Sequence, residues 1–99
     1  MDFKIIWTPE ATACLNEIVQ YIAQDNPAAA IKTGEKIFSR VLLLSGFPEL
    51  GKIFRKKDRA DVREISVRPY RVIYQVVQRD KAVKILSVWH GARLEPEIK

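Results

Sequence analysis

The 99-residue chain has one cysteine and one histidine, Cys14 and His90. A single cysteine rules out an internal disulfide, and one Cys plus one His are too few for a zinc centre. No metal or cofactor is therefore expected, and the cysteine usage agrees with a reducing cytoplasm. No apolar run approaches the roughly 20 residues of a membrane helix. The opening Met1–Trp7 has an early acid and too short an apolar run for a signal peptide, so no membrane association is expected. The four glycines form no phosphate-cradling loop. No serine sits in a nucleophile elbow that would employ His90. Repeats and low-complexity segments are absent.

What is present is 47% hydrophobic and 29% charged, a balance that folds, and a length that suits one domain over 1–99. The net charge is +5, and it is unevenly spread. Residues 1–50 carry 4 basic and 6 acidic groups, residues 51–81 carry 10 and 4, and residues 82–99 carry 3 and 2. A basic middle segment is either a solvated loop or a docking surface for nucleic acid or an acidic protein segment.

Phe3–Trp7 reads as a strand. Thr8-Pro9-Glu10 then supplies an N-cap, a proline at the first helical position and an acid in the first turn. Ala11, Cys14, Leu15, Ile18, Val19 and Ile22 form one apolar face of a helix ending near Gln24. Cys14 is expected to be an inert core thiol. Asn26-Pro27 opens a second helix with the stripe Ile31, Gly34, Ile37, Phe38, Val41, Leu42 and Leu44, expected in the core. The short connection makes an antiparallel helical hairpin. Gly34 inside the helix suggests close contact with the first helix. Gly46 ends the helix, and Phe47–Gly51 is turn-rich. Val62–Val67, Tyr70–Val77 and Ala82–His90 read as strands. The order gives an α+β fold: an N-terminal strand, then a two-helix hairpin packed on one face of a small, largely antiparallel sheet.

Side chains alternate along a strand. Tyr70, Val72, Tyr74 and Val76 therefore share a face, expected against the helices. A two-residue turn at Arg79-Asp80 pairs Tyr70 with Trp89, Val72 with Ser87, Tyr74 with Ile85 and Val76 with Val83. The opposite face then holds Arg71, Ile73 and Gln75 across from Val88, Leu86 and Lys84, with His90 a step further on. A turn at Asp80-Lys81 pairs Arg71 with His90 directly. Both registers put Arg71 and His90 on one face, and a bulge would break that pairing. An arginine beside the chain's only near-neutral titrating group has the parts for metal-independent RNA cleavage. His90 would move protons, Arg71 would stabilise phosphorane charge, and Glu64 is a further acid–base candidate.

In order, the chain carries TPEA at the first helix start, YIAQDNPAAA between the helices, FPELG, REISVRPYRVIYQV and KILSVWHGAR. Together these resemble the RelE/ParE toxins of bacterial type II toxin–antitoxin systems, over nearly the whole chain. The resemblance implies the helical-hairpin-on-sheet fold and a hetero-oligomer with an antitoxin whose acidic C-terminal segment wraps the toxin. RelE-like members cut messenger RNA in the ribosome, whereas ParE-like members block DNA gyrase without nuclease activity. Arg71 matches the arginine that RelE-like nucleases place in the "YRlvY" strand. His90 lies near a position that is catalytic in some of them. The tyrosine that often follows is replaced here by Gly91-Ala92-Arg93. The HGAR ending and the long hairpin joined at DNPAAA resemble the ParE branch instead.

The favoured expectation is thus a ParE-like gyrase inhibitor neutralised by a cognate antitoxin, acting in the cytoplasm. A RelE-like endoribonuclease using Arg71, His90 and Glu64 is the alternative, and a non-catalytic, salt-sensitive nucleic-acid-binding module is the third. The antitoxin- or target-binding set is expected to be Arg55, Lys56, Lys57, Arg63, Arg71, Gln75, Lys84, His90 and Arg93.

Overall fold

The structure, a computed structural model, describes residues 2–54 and 61–91. Its elements are β1 (Lys4–Trp7), α1 (Pro9–Ala23), α2 (Pro27–Leu42), a 3-10 turn (Leu43–Ser45), β2 (Lys52–Ile53), β3 (Val62–Val67), β4 (Tyr70–Val77) and β5 (Ala82–His90). The strands form one sheet in the order β1-β5-β4-β3-β2. β1 runs parallel to β5 and the remaining pairs are antiparallel. The sheet is therefore mixed, because the chain returns to β1 only after the hairpin and three antiparallel strands.

Both helix starts use the expected capping. The Thr8 hydroxyl accepts the Ala11 N–H at 3.2 Å and donates to the Ile85 carbonyl at 2.6 Å, tying the start of α1 to β5. Asn26 Oδ1 accepts the Ala29 N–H at 3.0 Å. Each cap is followed by proline at the first helical position, where the missing N–H costs nothing.

The α2 stripe divides. Ala30, Ile37, Val41 and Leu44 are buried, whereas Ile31, Phe38 and Leu42 are 63%, 48% and 51% exposed. Each of these three exposed residues follows a buried one by one position, about 100° around the helix, so one line meets the core and the next stands at its rim, where Phe38 stacks on Trp7 of β1 with ring centroids 6.2 Å apart. Gly34 faces α1, where an added Cβ would stand 3.5 Å from Val19 Cγ2, an ordinary contact. The glycine is therefore not required by space. Gly34→Ala is expected to stabilise the protein by about 0.5–1 kcal/mol, seen as a raised urea midpoint at unchanged slope.

The sheet buries side chains on both faces. The helix side holds the main core: Ile65, Val67, Val72, Tyr74, Val76, Val83, Ile85 and Val88 against Ala11, Ile37, Val41 and Leu44. The far side holds a smaller cluster of Phe54, Val62, Ile73 and Trp89, with Leu86 packed against it. Tyr70, Val72, Tyr74 and Val76 do face the helices, as alternation requires.

The β4–β5 register follows the Arg79-Asp80 turn for half its length. Tyr74 pairs with Ile85, Gln75 with Lys84 and Val76 with Val83. The Lys81 N–H donates to the Gln78 carbonyl at 3.1 Å, and Lys81 takes a positive φ of 47°. The register then slips between Ile73 and Tyr74, so that Ile73 meets Ser87, Val72 meets Val88, Arg71 meets Trp89 and Tyr70 meets His90. Leu86 is the extra residue, without a partner in β4; just beyond it Ser87 approaches Cys14 of α1 and Val88 joins the helix-side core. From that point the parity of β5 is inverted. Trp89 lies on the far face and His90 on the helix face, which reverses the expected placement of both.

Tyr74 anchors the 47–51 turn. It is fully buried; its hydroxyl donates to the Pro48 carbonyl at 2.9 Å and accepts the Gly51 N–H at 2.8 Å. Burial, the largest influence, pushes its phenol above the ordinary 10.0, against the lowering effect of the Gly51 N–H and of Arg63. The neutral phenol is thus preferred in the folded state. Its contribution is complete below pH 10.0 and is lost as pH rises beyond it. Tyr74→Phe, which leaves two backbone groups unpaired, is expected to cost about 1–3 kcal/mol at pH 8. The difference between wild type and variant should shrink as urea midpoints are followed from about pH 9 to 11.

Candidate functional site

The far face of the sheet carries the charged residues that the strand pattern singled out. β3 and β4 are antiparallel, with Glu64 opposite Ile73 and Ser66 opposite Arg71, so Glu64 and Arg71 are diagonal neighbours on that face. Arg71 Nε lies 3.3 Å from Glu64 Oε2. Lys52 of β2, directly opposite Glu64, reaches Oε1 at 3.6 Å. The Arg71 guanidinium sits 5.9 Å from the centroid of the Trp89 ring, within cation–π range. Glu64 and Trp89 are buried, Arg71 is half-buried and Lys52 is exposed. The site is a carboxylate floor, an indole wall and two cations aimed outward.

Two atoms here lack a hydrogen-bond partner among the described residues: Glu64 Oε2 and Trp89 Nε1. Buried polar atoms are normally satisfied. For Glu64 the ion pair with Arg71 supplies the compensation. The Trp89 N–H has no such substitute.

Other expected site residues are distributed more widely. Gln75 and Lys84 face each other on the same side as Arg71, and Gln75 Nε2 donates to Asp61 Oδ2 at 2.9 Å. Arg63 sits opposite Tyr74 on the helix side, where its Nη1 donates to the Gly51 carbonyl at 2.7 Å. It clasps the 47–51 turn rather than joining the Arg71 group. Arg55, Lys56, Lys57 and Arg93 lie outside the described residues. No cluster of three or more His, Cys, Asp or Glu able to hold a metal occurs among the described residues.

His90 stands apart from Arg71. Its ring meets Tyr70 edge-on, centroids 5.4 Å apart and planes at 85°. Both line a cavity of about 560 Å³ between α1 and the end of β5, together with Cys14, Ile18, Tyr21 and Ile22. β1 pairs with β5 only as far as Ile85, so the edge of β5 beside this groove is not covered by β1. The expected Arg71–His90 pairing is therefore corrected: the bulge at Leu86 places the sheet between them. The residues that alternation missed are Trp89, assigned to the helix side, and Lys52, which reaches Glu64 from β2. The adjacent apolar pairs Ile85-Leu86 and Val88-Trp89 on either side of Ser87 are a sequence trace of the bulge, since a strand with a single wet face would alternate there.

The strand–hairpin–sheet arrangement is that of solved toxins from toxin–antitoxin systems. The chain superposes on a chain of the chromosomal ParDE toxin–antitoxin system of Pseudomonas aeruginosa with a TM-score of 0.73, at 22% identity, covering 89% of this chain and 95% of that one. It also superposes on the isolated Escherichia coli toxin RelE with a TM-score of 0.67 at 18% identity, covering 94% and 88%. These likenesses show the fold. Among curated sequences, Toxin RelE2 of Caulobacter vibrioides is 34% identical over 92 residues, covering 92% of this chain and 98% of that protein. The protein Y4kP of Sinorhizobium fredii is 33% identical over 95 residues, covering 96% of this chain and 95% of that one. Residues 5–95 match the family described as the ParE toxin of the type II toxin–antitoxin system parDE. The chain belongs to that family, within the ParE/RelE superfamily of type II toxins.

Proposed function

We propose that this toxin acts by binding, inhibiting DNA gyrase through its Arg71 face, and that a cognate antitoxin with an acidic C-terminal segment neutralises it. The observation that carries the reading is the separation of Arg71 from His90 across the sheet. RNA cleavage without a metal asks for a proton donor and acceptor within reach of the charge-stabilising arginine. On the far face Arg71 lies against Glu64 and Trp89, and Glu64 is engaged by both Arg71 and Lys52. A cation held against an indole wall by a buried carboxylate is a preorganised recognition group. The basic middle segment adds electrostatic attraction toward an acidic antitoxin tail. The test is gyrase supercoiling of relaxed plasmid with purified toxin. Inhibition is expected, to be relieved by antitoxin and lost in Arg71→Met. Full supercoiling at toxin excess would remove the gyrase reading.

A second reading has one observation in its favour. Glu64 lies beside Arg71 on a shared face, so a carboxylate base next to an arginine is available for an endoribonuclease. It predicts that induced toxin cleaves messenger RNA in translating ribosomes and that Glu64→Gln abolishes the cleavage while His90→Ala does not.

A further inference from the structure

The cavity between α1 and the end of β5 has a chemistry of its own that inhibition through the Arg71 face does not use. Cys14, Glu17, Ile18 and Tyr21 line it from α1. They recur at helical spacing, so one face of the helix runs about 10 Å along the cavity. Opposite stand Tyr70 and His90, register partners in β4 and β5 whose rings meet edge-on. Ser87 and Val88 are buried beneath, with the Ser87 hydroxyl 3.9 Å from the Cys14 thiol. At about 560 Å³ the space is of the size that encloses small organic groups.

The charge here is opposite in sign to that of the chain. Glu17 lines the cavity and no lysine or arginine does. Helix α1 carries Glu10 and Glu17 and no basic residue, in a chain of net charge +5. Glu17 and Tyr21 are four residues apart, so a carboxylate and an aromatic ring share one wall. A carboxylate beside the rings of Tyr21, Tyr70 and His90 is the composition that holds an organic cation. The ring faces attract it and the carboxylate balances it. An anion would be repelled by Glu17, and a wholly apolar ligand would gain nothing from it.

We propose that this cavity is a binding site for an organic cation, a guanidinium or alkylammonium group, held by Glu17 between Tyr21 and the Tyr70–His90 pair. Such a group is offered by an arginine or lysine side chain of a partner protein, or by a free polyamine. The site lies across the sheet from Arg71, so it stands or falls independently of gyrase inhibition.

The test is titration of the isotope-labelled full chain with argininamide, followed through backbone amide chemical shifts. Saturable shifts gathered at Glu17, Ile18, Tyr21 and His90 are expected, with a dissociation constant on the order of 1 mM. Citrullinamide has nearly the same shape without the charge and should bind at least about fivefold more weakly. Glu17→Gln should weaken argininamide by about threefold to fivefold. Tyr21→Leu should weaken it by about threefold through the lost ring face. Both residues are exposed on α1, and unchanged circular dichroism checks that the fold is kept. Spermidine separates the two sources. Binding about tenfold tighter than argininamide assigns the site to a polyamine, whereas equal or weaker binding assigns it to a protein side chain. Shifts gathered around Gln75 and Lys84 instead, no saturation by about 20 mM, equal binding of citrullinamide, or indifference to Glu17→Gln would each overturn the proposal.

Discussion

Gly51→Ala is expected to destabilise this toxin by about 3 kcal/mol or more, the largest effect of a methyl group added at any of the four glycines. An added Cβ would stand 2.4 Å from the Glu64 carbonyl oxygen and 2.7 Å from the Tyr74 hydroxyl. Neither can retreat cheaply. The carbonyl belongs to a strand backbone paired on both sides, by β2 and by β4. The hydroxyl belongs to a fully buried ring whose position is set by the core. Displacing the turn instead would break the Gly51 N–H bond to Tyr74 and the Arg63 bond to the Gly51 carbonyl together. Urea unfolding of Gly51→Ala beside Gly34→Ala gives the contrast, since the same chemical change should have opposite signs at the two sites. A Gly51→Ala chain as stable as wild type would show that the turn is free to shift.

Arg71→Met is expected to produce the second large effect, on stability and activity at once. Glu64 is buried and its carboxylate is compensated by Arg71, with exposed Lys52 as the second cation. Removing Arg71 leaves that charge under-compensated, at a cost of about 2 kcal/mol, below the 3–5 kcal/mol typical of fully buried pairs because Arg71 retains contact with solvent. Replacing both partners, Glu64→Gln with Arg71→Met, removes the stranded charge and should restore most of the stability. The double variant then separates folding from function: it should fold well yet leave gyrase supercoiling uninhibited. If the double variant inhibits gyrase as wild type does, Arg71 has a structural role only. If it is no more stable than Arg71→Met, the ion pair is not what holds Glu64 in place.

Much of the architecture is legible in the sequence because it rests on local rules. Thr8-Pro9 and Asn26-Pro27 fix the helix starts through capping and a preset φ. The strand limits Val62–Val67, Tyr70–Val77 and Ala82–His90 agree with the structure to the residue. The helix-facing Tyr70, Val72, Tyr74 and Val76 follow from a period of two. The α2 stripe is wider in the sequence than in the core, because an apolar residue beside the core line carries the same letter as one in it. Ile31, Phe38 and Leu42 are outside for that reason.

The site itself is only partly legible. Strand parity places Arg71 correctly on the sheet face away from the helices, whereas it names Glu64 without a placement. Their approach to 3.3 Å depends on the β3–β4 register, which single-strand patterning does not contain. The partnership with His90 fails through one extra residue in β5.

The sequence by itself determined the elements, their order, the helical hairpin and the inward face of β4, since each is set by propensity, capping or alternation within a short span. Only the tertiary structure decided what stands beside Arg71. The bulge at Leu86 lets Ser87 and Val88 pack against Cys14 and the helix-side core, contacts remote in sequence. Because strand parity has only two values, that single slip exchanged Trp89 for His90 on the far face. It turned an apparent acid–base pair into an arginine held between a carboxylate and an indole.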